Sequence, residues 1–186
     1  MKSLQLEKPH AIVVIGIQGS GKSFFAEKFS DTFSAPYIDD SAFTLYTHDE
    51  AASKHVSNHM LKEVIKTKAT VVIESKSTKA ERIELSQQLK KAGYETLLVW
   101  VQTDTNTAMG RARKQTNTTK EEVEDNIKRF NPPSGIEQAL VISGKHTFAT
   151  QAKTVLKKLS GESRPLPSTE SRGSIPARHR GHIVIK

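Results

Sequence analysis

Short apolar runs alternate with longer amphipathic stretches along this chain. Ala11-Ile12-Val13-Val14-Ile15 is the first such run, continuous and rich in β-branched residues. It reads as a strand buried on both faces. Behind it, Phe24, Phe25, Ala26 and Phe29 recur at helical spacing. The same reading predicts strands over 11–15, 36–39, 70–74, 95–101 and 138–142. It predicts helices over 22–33, 48–67, 79–92, 104–115, 119–130 and 147–160. Gly93 stands where a helix C-terminal cap belongs, and Asn131-Pro132-Pro133-Ser134-Gly135 stops the helix that ends at Phe130. Thr119-Lys120-Glu121-Glu122 has the Thr-x-x-Glu form of a capping box, which makes Glu122 structural. Strands alternating with helices predict an α/β fold, a three-layer α/β/α sandwich around a five-stranded parallel sheet.

Composition changes this picture only at the C-terminal end. Residues 161–186 collect Pro165, Pro167, Pro176, many Ser and Arg, and few large apolar groups. A domain over 1–160 followed by a basic, flexible tail over 161–186 is the expected division. Within that tail, Ile183-Val184-Ile185 has the character of a short edge strand. The net charge is +8, and the tail supplies +3 of it. Such an excess suits anionic ligands, nucleotides or nucleic acid. The chain has no cysteine, which excludes disulfides, thiolate metal sites and a cysteine nucleophile. Residues 1–7 lack the apolar core of a signal peptide, and no apolar run is long enough to span a membrane. A cytoplasmic protein without membrane contact is the expectation.

The candidate chemistry begins at Gly16-Ile17-Gln18-Gly19-Ser20-Gly21-Lys22-Ser23, which fits the phosphate-loop pattern G-x-x-x-x-G-K-[ST] between a strand and a helix. Gly16, Gly19 and Gly21 free the backbone so that its N–H groups converge on one anion. The helix N-terminus adds unpaired donors and the positive end of its dipole. Lys22 is expected at the β- and γ-phosphates of ATP, and the Ser23 hydroxyl on Mg²⁺. Gln18 and Ser20 complete the nucleotide-binding loop, Gln18 as a filler.

In parallel α/β sheets the site lies outside the carboxyl ends of the strands. Asp39 and Asp40 follow the second strand, where a carboxylate can take the proton of an acceptor hydroxyl. Glu74 ends the third strand, the place of the acidic residue that accompanies Mg²⁺ in many phosphate-loop enzymes. Arg82 is equally suited to a structural ion pair and to a substrate contact. Arg111 and Arg113 end the helix after the fourth strand and suit a segment that closes over phosphates. His55 and His59 share a helix face but lack a third ligand at metal-site spacing, so no metal is assigned to them.

In the order and form of these motifs the chain resembles the small phosphate-loop kinases, among them polynucleotide kinase, gluconate kinase and the zeta-toxin type, over roughly residues 10–160. The residues that carry the likeness are Gly21-Lys22-Ser23, Tyr37-Ile38-Asp39-Asp40, Val71-Val72-Ile73-Glu74 and Arg111-Ala112-Arg113. The resemblance implies a P-loop NTPase fold, ATP and Mg²⁺ as cofactors, Asp39 or Asp40 as the base, and Arg111 or Arg113 as the lid arginine. It also implies that Ser143, Gly144 and Lys145 form the loop beside the adenine. Ser41-Ala42-Phe43-Thr44 lacks the arginine with which polynucleotide kinases hold a substrate phosphate. The acceptor therefore stays open among nucleotides, nucleic-acid ends and small molecules. The alternative is an ATP-binding or ATP-hydrolysing interaction protein that docks through its basic tail.

Overall fold

The computed structural model describes residues 4, 6–39, 49–75, 78–115 and 119–161. Five strands form one sheet: β1 (His10–Ile15), β2 (Tyr37–Asp39), β3 (Val71–Glu74), β4 (Glu95–Gln102) and β5 (Leu140–Ser143). Among the described residues, six helices connect or follow them: α1 (Lys22–Phe33), α2 (Glu50–Lys66), α3 (Lys79–Lys91), α4 (Thr105–Gln115), α5 (Lys120–Arg129) and α6 (Phe148–Leu159). A 3₁₀ turn over Gly135–Glu137 precedes β5.

The strand order is β2-β3-β1-β4-β5 and every pairing is parallel. β1 sits in the middle, with Val14 opposite Glu74 of β3 and Val99 of β4. The chain leaves β1 toward β2 and β3 and then crosses to β4 and β5 on the other side. The end of β1 is therefore the point where the topology switches, the place where this class of sheet opens a crevice.

The apolar run of β1 is divided between two cores. Ile12 and Val14 pack with Phe25, Phe29, Val72, Val99, Val101 and Val155 under α1 and α6. Ala11, Val13 and Ile15 pack with Ile38, Leu61, Ile73 and Leu89 under α2 and α3. Burial on both faces explains why β1 is continuous rather than alternating. Phe25, Phe29 and Phe33 form a ladder along α1, with ring centroids 5.4 and 4.6 Å apart. Truncating Phe25 or Phe29, both fully buried, to Ala would cost about 3–5 kcal/mol. That ladder fixes α1, and with it Lys22 and Ser23, against the sheet.

The helix ends follow the expected local chemistry. Capping boxes open α3 at Thr78–Glu81 and α5 at Thr119–Glu122. α3 closes with Tyr94 N–H donating to the Leu89 carbonyl and Gly93 at φ 84°, a Schellman end. Among the described residues no helix is long and apolar enough to cross a membrane.

Candidate active site

The loop between β1 and α1 is gripped by its own protein on several sides. Ser20 N–H donates to the Ile17 carbonyl at 3.0 Å. The Ser20 carbonyl accepts from Thr103 Oγ1, just past β4, at 2.9 Å. Gly19 lies at φ 77°, and a Cβ there would collide with the Ala108 carbonyl of α4. Gly144, just past β5, is equally confined: a Cβ would collide with the Ser20 carbonyl and the Thr103 hydroxyl. These glycines allow the loop to nest between α4 and the β5–α6 turn. Ser20 is fully buried, so its side chain is part of this packing. Gln18, at the tip, accepts a hydrogen bond from Asn126 Nδ2 of α5 at 3.0 Å.

Past the loop, four side chains meet. Ser23 Oγ donates to Glu74 Oε1 at 2.8 Å, and Lys22 Nζ lies 3.3 Å from the same oxygen. Tyr37 donates its phenol proton to Glu74 Oε2 at 2.6 Å. The Lys22 and Glu74 side chains are 7% and 2% exposed. A carboxylate so far from water is costly unless its oxygens are matched by donors, and here both are. Burial, then the bond to Glu74, pushes the Tyr37 phenol well above its ordinary value. Asp39 is the register partner of Glu74 on β2 and is half-buried. The structure thus brings Lys22, Ser23, Glu74 and Asp39 to one end of the sheet. Asp40, and Ser41 to Thr44 after it, lie outside the described residues.

The two arginines of α4 part company. Arg111 donates from Nη1 to the Gly144 carbonyl at 2.9 Å, and the same nitrogen would lie 3.8 Å from a Cβ on Gly21. It stands over the loop's end. Arg113, two positions on and about 200° around the helix, is exposed. Lys145 pairs with Asp104 Oδ2 at 2.6 Å. That bond, with the Thr107 N–H, holds the Asp104 carboxyl well below the usual carboxylate range. Gly144 and Lys145 are therefore both tied to the walls of the loop, one by packing and one by charge. Arg82 makes a structural pair: Nε and Nη2 donate to the two oxygens of Glu137 at 2.8 and 3.3 Å.

Sequence reasoning missed Tyr37 and Asn126 as site residues. Tyr37 had a signal, since it precedes Asp39 by two residues and so shares its face of the strand. Asn126 had none, because its contact with Gln18 spans distant parts of the chain. The Ser23 hydroxyl and the Glu74 carboxylate are hard oxygen donors in mutual contact. They could hold Mg²⁺, which takes few protein oxygens and keeps water and phosphate for its other positions.

Residues 12–133 match the model of an AAA domain family, AAA_33. The sequence matches none of the curated proteins. The fold is similar to that of a sugar kinase from Janibacter sp. HTCC2649, with a TM-score of 0.62 at 14% identity, covering 82% of this chain and 95% of that one. It is similar to a gluconokinase from Sinorhizobium meliloti 1021, with a TM-score of 0.60 at 18% identity over 83% and 93% of the two chains. It is also similar to Kti12 from Chaetomium thermophilum, solved in complex with ADP-AlF3, with a TM-score of 0.61 at 17% identity over 81% and 97%.

Proposed function

Because the chain belongs to the AAA domain family AAA_33, whose P-loop fold it carries, we propose that it is an ATP-dependent phosphotransferase. It moves the γ-phosphoryl group of ATP to a hydroxyl of a nucleotide, a nucleic-acid end or a small molecule. The observation that carries this reading is the convergence of Ser23 Oγ, at 2.8 Å, and Lys22 Nζ, at 3.3 Å, on Glu74 Oε1 at the end of the phosphate loop.

In the proposed mechanism the loop N–H groups and the start of α1 bind the phosphates. Lys22 leaves Glu74 and takes up the β- and γ-phosphates, keeping an ion pair throughout. Ser23 and Glu74 would hold Mg²⁺, which when bound would neutralise phosphate charge. Asp39, or Asp40 beside it, accepts the proton of the acceptor hydroxyl. The acceptor oxygen bonds to the γ-phosphorus as the bond to the β-bridging oxygen breaks, and ADP leaves. Arg111 adds positive charge over the loop, where charge spreads in the transition state. Arg113, on the exposed side of α4, would join only when that segment closes.

A second reading is an ATP-hydrolysing interaction protein that docks through its basic tail; the similar Kti12 structure holds ADP-AlF3, which mimics phosphoryl transfer to water or to an alcohol alike. ADP release separates the two. Incubation with ATP and pools of nucleosides, sugars, other hydroxyl-bearing small molecules and 5′-hydroxyl oligonucleotides should raise ADP production in one pool. Lys22→Ala should abolish that production. An ATPase rate indifferent to every pool favours the second reading.

A further inference from the structure

Of the three side chains that contact Glu74 among the described residues, two have other work in the proposed reaction. Ser23 turns to the metal and Lys22 to the phosphates. Tyr37 alone has no other claim on it. Its hydroxyl meets Glu74 Oε2 at 2.6 Å, while Ser23 and Lys22 share Oε1. Once nucleotide enters, Tyr37 is the contact that still fixes one oxygen of a carboxylate that is 2% exposed. A buried charge that lost all its donors would bear the full desolvation cost.

The backbone explains how a residue of β2 reaches this position. Tyr37 is in register with Val72, and Asp39 with Glu74. The phenol must therefore span two residues along the neighbouring strand, roughly 6.6 Å, which a tyrosine ring does and a shorter side chain does not. The ring packs beside the core under α1, so the hydroxyl is delivered from a fixed base. Glu74, with one more rotatable bond than an aspartate, needs such an anchor to aim one oxygen at Ser23.

We propose that Tyr37 is a positioning residue, which holds Oε2 of Glu74 so that Oε1 stays aimed at Ser23 and the metal corner when Lys22 departs. The proposal rests on the kinase reading of the site. Its consequence is that Tyr37 governs how strongly Mg²⁺ assists nucleotide binding, and has no part in binding the nucleotide itself.

The test compares wild type and Tyr37→Phe, which keeps the ring and removes the hydroxyl. The non-hydrolysable β,γ-imido analogue of ATP is titrated calorimetrically with Mg²⁺ and with EDTA. Wild type should bind more tightly with Mg²⁺. Tyr37→Phe should lose about tenfold or more of that gain, as for one hydrogen bond to a charged group. Its affinity in EDTA should be unchanged. A variant that keeps the full Mg²⁺ effect overturns the proposal, as does one that loses affinity equally in both buffers. A wild type indifferent to Mg²⁺ refutes the kinase reading instead, and that control separates the two failures. If Tyr37→Phe does not fold by circular dichroism, Tyr37→Met, which fills the apolar space without a hydroxyl, takes its place in the same two titrations. Loss of the Mg²⁺ gain with affinity in EDTA unchanged supports the proposal, and a full Mg²⁺ effect overturns it.

Discussion

Arg82→Ala tests whether that arginine holds the protein together or meets a substrate. The Arg82 and Glu137 side chains are 2% and 9% exposed and join through two hydrogen bonds. Removing the arginine leaves a carboxylate nine-tenths buried, with the Ser134 N–H at 2.8 Å among its remaining donors. Breaking a buried pair from one side typically costs about 3–5 kcal/mol. For a chain of this size, that lowers the melting temperature by roughly 6–20 °C. Burial disfavours the charged Glu137, but Arg82 and the Ser134 N–H outweigh it and hold its carboxyl below the ordinary 4.5. A depressed value means the unfolded chain binds the proton more tightly. The stabilisation is then full above 4.5 and fades as pH falls through the depressed value. Thermal melts of wild type and Arg82→Ala should therefore differ most near neutrality and converge in acid. A melting temperature that barely moves, with phosphoryl transfer lost, would refute the structural role and make Arg82 a substrate contact.

Asp39→Asn should leave affinity for the non-hydrolysable ATP analogue intact and slow phosphoryl transfer by about 10²–10⁴-fold; if Asp40→Asn does so instead, the base is the neighbour. Gly144→Ala should force the loop away from the Ser20 carbonyl, costing about 1–3 kcal/mol by overpacking, and a titration should find weaker nucleotide binding. Deleting residues 161–186 should spare ATP-analogue binding, since every proposed contact precedes them. If those charges meet nucleic acid, the truncated form should show a flatter dependence of oligonucleotide affinity on salt.

What could be read from the sequence was what local chemistry decides. β1 declared itself because both its faces are buried, and α5 because Thr119-x-x-Glu122 caps it. The phosphate loop was legible since its glycines, Lys22 and Ser23 are contiguous. Boundaries shifted where the backbone overrode pattern. β5 begins at Leu140 rather than 138, because the 3₁₀ turn ends with Gln138 at φ 46°. α2 begins at Glu50 because Asp49 caps it, accepting from the N–H groups of Ala51 and Ala52. Contacts between distant segments were not legible. Glu137 gave no sign of pairing with a residue 55 positions away. The resemblance puts Gly144 in a loop beside the adenine, but it gave no sign that the Gly144 carbonyl lies under Arg111 and its Cα against Ser20. Such pairings depend on which strands become neighbours, a property of the whole sheet.

The most direct test of the account is where the label goes when γ-labelled ATP is turned over in the presence of the pool that raises ADP release. The account predicts label on an organic acceptor, in step with ADP, in wild type. It predicts none with Lys22→Ala, and a greatly slowed transfer with Asp39→Asn. Label recovered solely as inorganic phosphate, or transfer undiminished in Lys22→Ala, would contradict it.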